Sequence, residues 1–227
     1  YKSTQVLIEP AETTEGVHIH IIDAELMGKG EKEKKDLYIE GVQNNGIINH
    51  YEYIINSEGT IEIRHVLKPE GKMPLWFPRI GLTLTVSDAL DQVKWYGRGP
   101  QENYPDRKTG YPTGIYASTV QAMYEPYLMP QDYGLRTDVR WLQLTTDKGI
   151  GLQFKMNEWF NFNIYPYSTD NLTKAMYTYQ LQKQKGMTLN LDYATTGVGC
   201  TARGVFGAYK AMPQEYRRTI SIRPMMK

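Results

Sequence analysis

Apolar and polar residues alternate with period two along most of the chain. Ile61, Ile63, His65 and Leu67 fall on one side of a run whose other side carries Glu62 and Arg64. Ile80, Leu82, Leu84 and Val86 repeat the pattern, with Thr83 and Thr85 opposite. Ile150, Leu152, Phe154 and Met156 do so again, against Gln153 and Lys155. Successive side chains of an extended chain point to opposite sides, so these runs predict half-buried strands. Residues 17–22 alternate too. They set His18 and His20 away from Val17, Ile19 and Ile21, as exposed or structural histidines.

Turn residues separate the runs. Asn56-Ser57-Glu58-Gly59 predicts a hairpin between strands at 50–55 and 60–67. Asp147-Lys148-Gly149 predicts another between 139–145 and 150–156, and residues 219–223 read as a final strand. Only 171–179 has the makings of a short helix, and it includes the sequon Asn171-Leu172-Thr173. The charged run 31–36 (EKEKKD) reads as a solvated loop. Helical patterns do not alternate with strands, which excludes a (β/α)₈ barrel, a fold of about 250 residues. Many short strands with Gly- and Pro-marked turns predict an all-β sandwich formed by 1–227 as one domain. Residues 95–133 break the period with many Pro, Gly, Tyr and charged residues, the mark of a functional or interface segment.

Composition narrows the function classes. The chain has 227 residues and a formal net charge of +1, so no strong field selects nucleic acid or an anionic membrane. No run approaches the roughly 18 apolar residues of a membrane-spanning helix. Its start, Tyr1-Lys2-Ser3-Thr4, lacks Met and an apolar leader, which suggests a piece of a larger protein or a processed chain. Cys200 is the single cysteine, so no internal disulfide forms. There are 18 Tyr against 5 Phe. Tyrosine suits both strands and wet, sugar-facing surfaces.

The densest chemistry lies in Trp95-Tyr96-Gly97-Arg98-Gly99-Pro100-Gln101-Glu102-Asn103-Tyr104-Pro105-Asp106-Arg107. Gly97 and Gly99 permit close backbone approach, while Pro100 and Pro105 fix φ and keep the segment out of a central strand. Glu102, Asp106, Arg98 and Arg107 can pair with one another. Two readings compete: groups that line a sugar site or face another domain, or an internal network that holds the loop. A second polar cluster is Arg136, Asp138, Arg140 and Trp141. Alternation sets its three charges opposite Thr137, Val139 and Trp141. Trp141 is either a core residue or a ring for stacking on sugar.

The long signature resembles the C-terminal, or small-chain, β-sandwich domain of family 2 β-galactosidases. Pro78–Leu82, Tyr127–Trp141, Phe160–Ile164 and Gly197-Val198-Gly199 agree with it in order and spacing, so the resemblance covers most of 40–223. It implies an antiparallel supersandwich of the galactose-mutarotase type. It also implies that the two catalytic glutamates sit on a separate (β/α)₈ domain, so that this chain alone is inactive. The expected partners are the catalytic and other domains of the parent chain and a β-galactoside. Residues expected to face them are Glu102, Asn103, Arg107, Arg136, Asp138, Arg140 and Trp141, with no catalytic residue among them. Some members place a tryptophan in the active site shortly after the Gly-x-Gly. Residues 200–206 here hold none, which leaves Phe206 or Arg203 as substitutes and galactose specificity open.

No cofactor is expected, since Cys/His clusters and an EF-hand pattern are missing from the sequence. A cation such as Ca²⁺ in the parent enzyme stays open. Two alternatives remain beside the accessory domain: a stand-alone carbohydrate-binding module and an aldose 1-epimerase-like enzyme. The second wants a His with a Glu, and His18, His20, His50 and His65 all precede the signature.

Overall fold

The computed structural model describes residues 46–200 and 204–226 in full, and the strands Lys2–Pro10 and Gly16–Leu26 by their backbone. The side chains of His18 and His20, the run 31–36 and Arg203 lie outside the described residues. The chain is all-β and antiparallel, as the alternation predicts, consistent with a sandwich. It divides into two compact units, residues 1–77 with 212–222, and 78–211 with 223–227.

In the first unit, β1 (Lys2–Pro10), β2 (Gly16–Leu26), β3 (Gly46–Asn56), β4 (Ile61–Glu70) and most of β11 (Tyr216–Met225) pair in that order. The β3–β4 hairpin closes where expected. Asn56 Oδ1 accepts from the Thr60 N–H at 2.9 Å, and Gly59 takes the left-handed φ of 76° that its turn requires. Ile63, His65 and Leu67 are buried and Arg64 is exposed, so the period-two reading fixes the phase of β4.

His65 is a buried imidazole. It stacks on Tyr51, its cross-strand neighbour, at 4.2 Å, and its Nε2 lies 3.0 Å from Asn49 Oδ1. Burial, aided by His50, pulls its pKa down to about 4. Between that value and the ordinary 6.5 the unfolded chain takes up a proton that the fold refuses. Stability is therefore complete above pH 6.5 and falls as the pH drops toward 4, by roughly 3 kcal/mol for such a shift. Urea midpoints measured from pH 7.5 to 4.5 should fall, and His65→Gln should flatten that slope. An unchanged slope in the variant would assign the proton uptake elsewhere.

The second unit pairs six strands in the order β7 (Thr113–Thr119), β6 (Gln92–Arg98), β8 (Arg136–Thr145), β9 (Gly151–Tyr165), β10 (Met187–Thr195) and β5 (Arg79–Val86). Its core includes Trp95, Leu142, Leu144, Phe154, Phe162 and Leu189, all at most 1% exposed. β10 is buried on both faces from Met187 to Tyr193. The short helix predicted within 171–179 is α1 (Thr169–Lys174), with a 3₁₀ turn at Thr178–Gln180. Ser168 caps α1 by accepting from the Asn171 N–H at 3.0 Å. The segment 95–133 is less irregular than its sequence, because β6 runs into it and β7 lies within it. β7 hides from the pattern as an edge strand that turns Ile115 outward and Gly114 and Ser118 toward the sheet's more covered side.

Candidate functional site

The signature loop leaves β6 at Arg98 and is held from inside. Glu102 is 8% exposed and is its hub. Its Oε2 accepts from the Gly134 N–H at 2.9 Å and from the Tyr104 hydroxyl at 3.2 Å. Its Oε1 accepts from the Tyr127 hydroxyl and from Arg107 Nη2 at 3.3 Å. Burial first, and then the bond to Glu102, push the Tyr127 phenol up to about 12. Asn103 is wholly buried. Its N–H donates to Leu135 O at 2.8 Å, and its Oδ1 accepts from the Thr137 N–H at 3.1 Å. The loop is thereby stitched to the start of β8.

Arg136 is also interior. Its Nε donates to Pro100 O at 3.0 Å and its Nη1 to Gly134 O at 2.9 Å, while the guanidinium lies 5.4 Å from the Trp95 ring centre. Burial pulls its pKa down to about 10, against the pull of Glu125 and Glu102. Asn103 and Arg136 are thus closed to solvent. Any influence they have on a ligand passes through the loop they hold, not through contact.

Strict alternation fails between 136 and 141. Asp138 takes a left-handed φ of 55°, and the β8–β9 register shifts on both sides of Val139. The three charges expected on one face therefore part company. Asp138 receives Arg98 Nε at 2.5 Å and Lys108 Nζ at 2.7 Å. Burial raises its pKa, but those bonds outweigh burial and hold it below the ordinary carboxylate value. Arg140 stacks between rings instead, 5.2 Å from Tyr96 and 4.0 Å from Trp159. Trp141 is half-buried beside Tyr96, with ring centres 6.4 Å apart. Arg107 stays half-exposed over the Tyr104 ring.

Asp106 joins two motifs that the sequence keeps far apart. Its carboxylate accepts from the Val198 N–H at 3.0 Å and the Gly199 N–H at 2.7 Å. A Cβ on Gly197 would meet the Asp106 carboxyl carbon at 2.3 Å, so only glycine admits the clamp. Gly97 is needed likewise, since a Cβ there would lie 2.8 Å from Val139 Cγ2.

A second polar cluster, buried at Asp192, Asn163 and Asn190 and open to solvent at Asp132, escapes the sequence reading. Arg79 Nη2 lies 3.0 Å from Asp192 Oδ2, and Arg79 also donates twice to Asp132 at 3.3 Å. Asn163 Nδ2 and the Tyr165 hydroxyl donate to the same Asp132 oxygen at 2.9 and 3.1 Å. Asn190 Nδ2 donates to Asn163 Oδ1 at 2.8 Å. The signal was available, because Asn161 and Asn163 on β9 oppose Asp192 and Asn190 on β10 at period two. Among the described residues no three His, Cys, Asp or Glu side chains gather as a metal would need.

The seven expected residues thus form no single cleft. They divide into a loop lock (Glu102, Asn103, Arg107, Arg136), an ion triad at Asp138, and an outward aromatic pair around Arg140 and Trp141. A family model described as the β-galactosidase small chain matches residues 11–222. The β-galactosidase of Priestia megaterium is 38% identical over 147 residues, which is 65% of this chain and 14% of that protein. That of Vibrio cholerae is 39% identical over 122 residues, 54% of this chain and 11% of that protein. That of Pseudoalteromonas haloplanktis is 34% identical over 148 residues, covering 65% and 14%. The chain spans no more than 14% of the length of these relatives.

Proposed function

The chain belongs to the β-galactosidase small-chain family, and from that premise we propose that it serves as the non-catalytic accessory domain of a β-galactoside hydrolase. In this reading it packs on the catalytic part of the enzyme and holds one wall of the carbohydrate site. Retaining hydrolysis needs two carboxyls about 5–5.5 Å apart, one free to attack and one to exchange a proton. The carboxylates of the signature, and Asp138 on β8, are instead spent on structure. Glu102 serves four donors, Asp138 two cations, and Asp106 two backbone amides.

The Asp106 clamp is the observation that carries the reading. It fastens the signature loop to Gly197-Val198-Gly199, the segment from which the chain continues to exposed Phe206. A fixed base lets the residues beyond it be offered to a substrate or a neighbouring domain.

The test has two arms. This chain alone should release no chromophore from a chromogenic galactoside. In the whole enzyme, Asp106→Ala should lower kcat/KM while the hydrogen exchange of the Val198 and Gly199 amides speeds up. Turnover by the chain alone would refute the non-catalytic assignment. Unchanged kinetics despite faster exchange would remove the loop from the carbohydrate site. Calorimetric titration with galactose and lactose separates the stand-alone binding module, which takes up sugar without the rest of the enzyme.

A further inference from the structure

One face of the second unit's sheet is covered and the other is open. Val93, Trp95, Leu142 and Leu144 fill the covered side. On the open side the registers line up Ile115, Tyr96, Trp141 and Lys155 as direct neighbours across four strands. Ile115 is 61% exposed and Trp159, which stacks on Arg140 beside this row, is 60% exposed. A solvated antiparallel face ordinarily carries polar residues, so a row of isoleucine, tyrosine and tryptophan needs a reason.

The charges on this face are of one sign. The neighbouring row is Ala117, Lys94, Gln143 and Gln153, and the next is Thr119, Gln92 and Thr145. No carboxylate belongs to any of these rows. Asp138 sits at the margin, closed by Arg98 and Lys108, and Glu158 adjoins Trp159. Lys94, Lys155 and Arg140 have no ion pair among the described residues.

We propose that this face, centred on Tyr96, Trp141 and Trp159 with Arg140 between them, docks an acid-bearing protein surface of the same enzyme. The inference rests on the accessory-domain reading and names the side by which the domain attaches. Trp, Tyr and Arg are the residues in which interface energy concentrates. Unpaired cations around them select a partner that brings carboxylates. A second copy of this chain is disfavoured, because a two-fold contact would set Lys94, Lys155 and Arg140 against their own kind. A neutral sugar is disfavoured too. Tyr96 and Trp141 are inclined by 54° and give no flat platform, and one face of Trp159 is taken by Arg140.

Hydroxyl-radical footprinting of the chain alone and of the whole enzyme tests this. Side-chain oxidation of Trp159, Trp141 and Tyr96 should fall about five-fold on assembly, as for residues entering an interface core. The exposed pair Lys94→Glu with Lys155→Glu should weaken assembly about ten-fold or more, and the loss should shrink at high salt. Assembly with these rings still fully oxidised, or indifferent to the charge reversal, would overturn the inference and leave the accessory-domain reading standing. Failure of the chain to assemble at all would remove both. Protection of the rings in the isolated chain by lactose, by oligothymidylate, or by its own concentration would overturn it in favour of that occupant.

Discussion

Glu102→Ala is expected to cost about 4 kcal/mol of folding stability, while Arg107→Ala costs under about 1 kcal/mol, although the two side chains form an ion pair. The asymmetry follows from burial. The Arg107 side chain is half-exposed and can turn to water once its partner is gone. The donors that Glu102 serves have less freedom. The Gly134 N–H is fixed in the backbone, and Tyr104 is 5% exposed. Removing the carboxylate leaves these donors without an acceptor and opens a hole under the loop. Urea unfolding of both variants checks the ranking.

A second readout isolates the cause. The Tyr127 phenol, held near 12 by burial and by its bond to Glu102, should titrate closer to the ordinary 10 in Glu102→Ala. Ultraviolet difference titration against a Tyr127→Phe control would show it. Equal losses for Glu102→Ala and Arg107→Ala would mean that the surface pair, not the buried hub, holds the loop.

The sequence made the strands legible where one face is buried and the other wet. β4 and β5 follow that rule, and their phases came directly from Ile63, His65 and Leu67, and from Ile80 and Val86. β7 does not follow it, because an edge strand with glycine and serine inside has no apolar period to read. The signature was legible as a braced loop, and pairing between Glu102 and Arg107 was within reach of spacing alone. Its other pairings were not. Asp138 turns out of line because Arg98 and Lys108, 40 and 30 residues earlier, hold its carboxylate and a left-handed φ accompanies that contact. Asp106 answers amides 92 and 93 residues away. Contacts of that range are set by topology, and no local pattern encodes them.

The Arg79 cluster shows what such contacts are worth. Arg79→Ala is expected to destabilise the chain by about 3–5 kcal/mol near neutral pH, because it strips a buried carboxylate of its cation. Asp192 is 1% exposed, and Arg79 is its ion-pair partner at 3.0 Å. Burial already raises the Asp192 pKa to about 7 against the pull of Arg79, so in the variant it should rise further. A folded-state pKa raised above the unfolded value gives stability that is complete below about pH 4 and is lost as the pH climbs through the folded value. The penalty of Arg79→Ala should accordingly be greatest above pH 7 and shrink toward pH 4, where Asp192 is protonated with or without its partner. Asp192→Asn keeps the shape without the charge and leaves Arg79 bonded to Asp132. It should cost far less than Arg79→Ala, and the double variant Arg79→Ala with Asp192→Asn should recover much of the loss at pH 8. Urea midpoints of the three variants at pH 5 and pH 8 decide the matter: a loss in Arg79→Ala that is equal at both pH values would mean that packing, not the uncompensated carboxylate, explains the cluster.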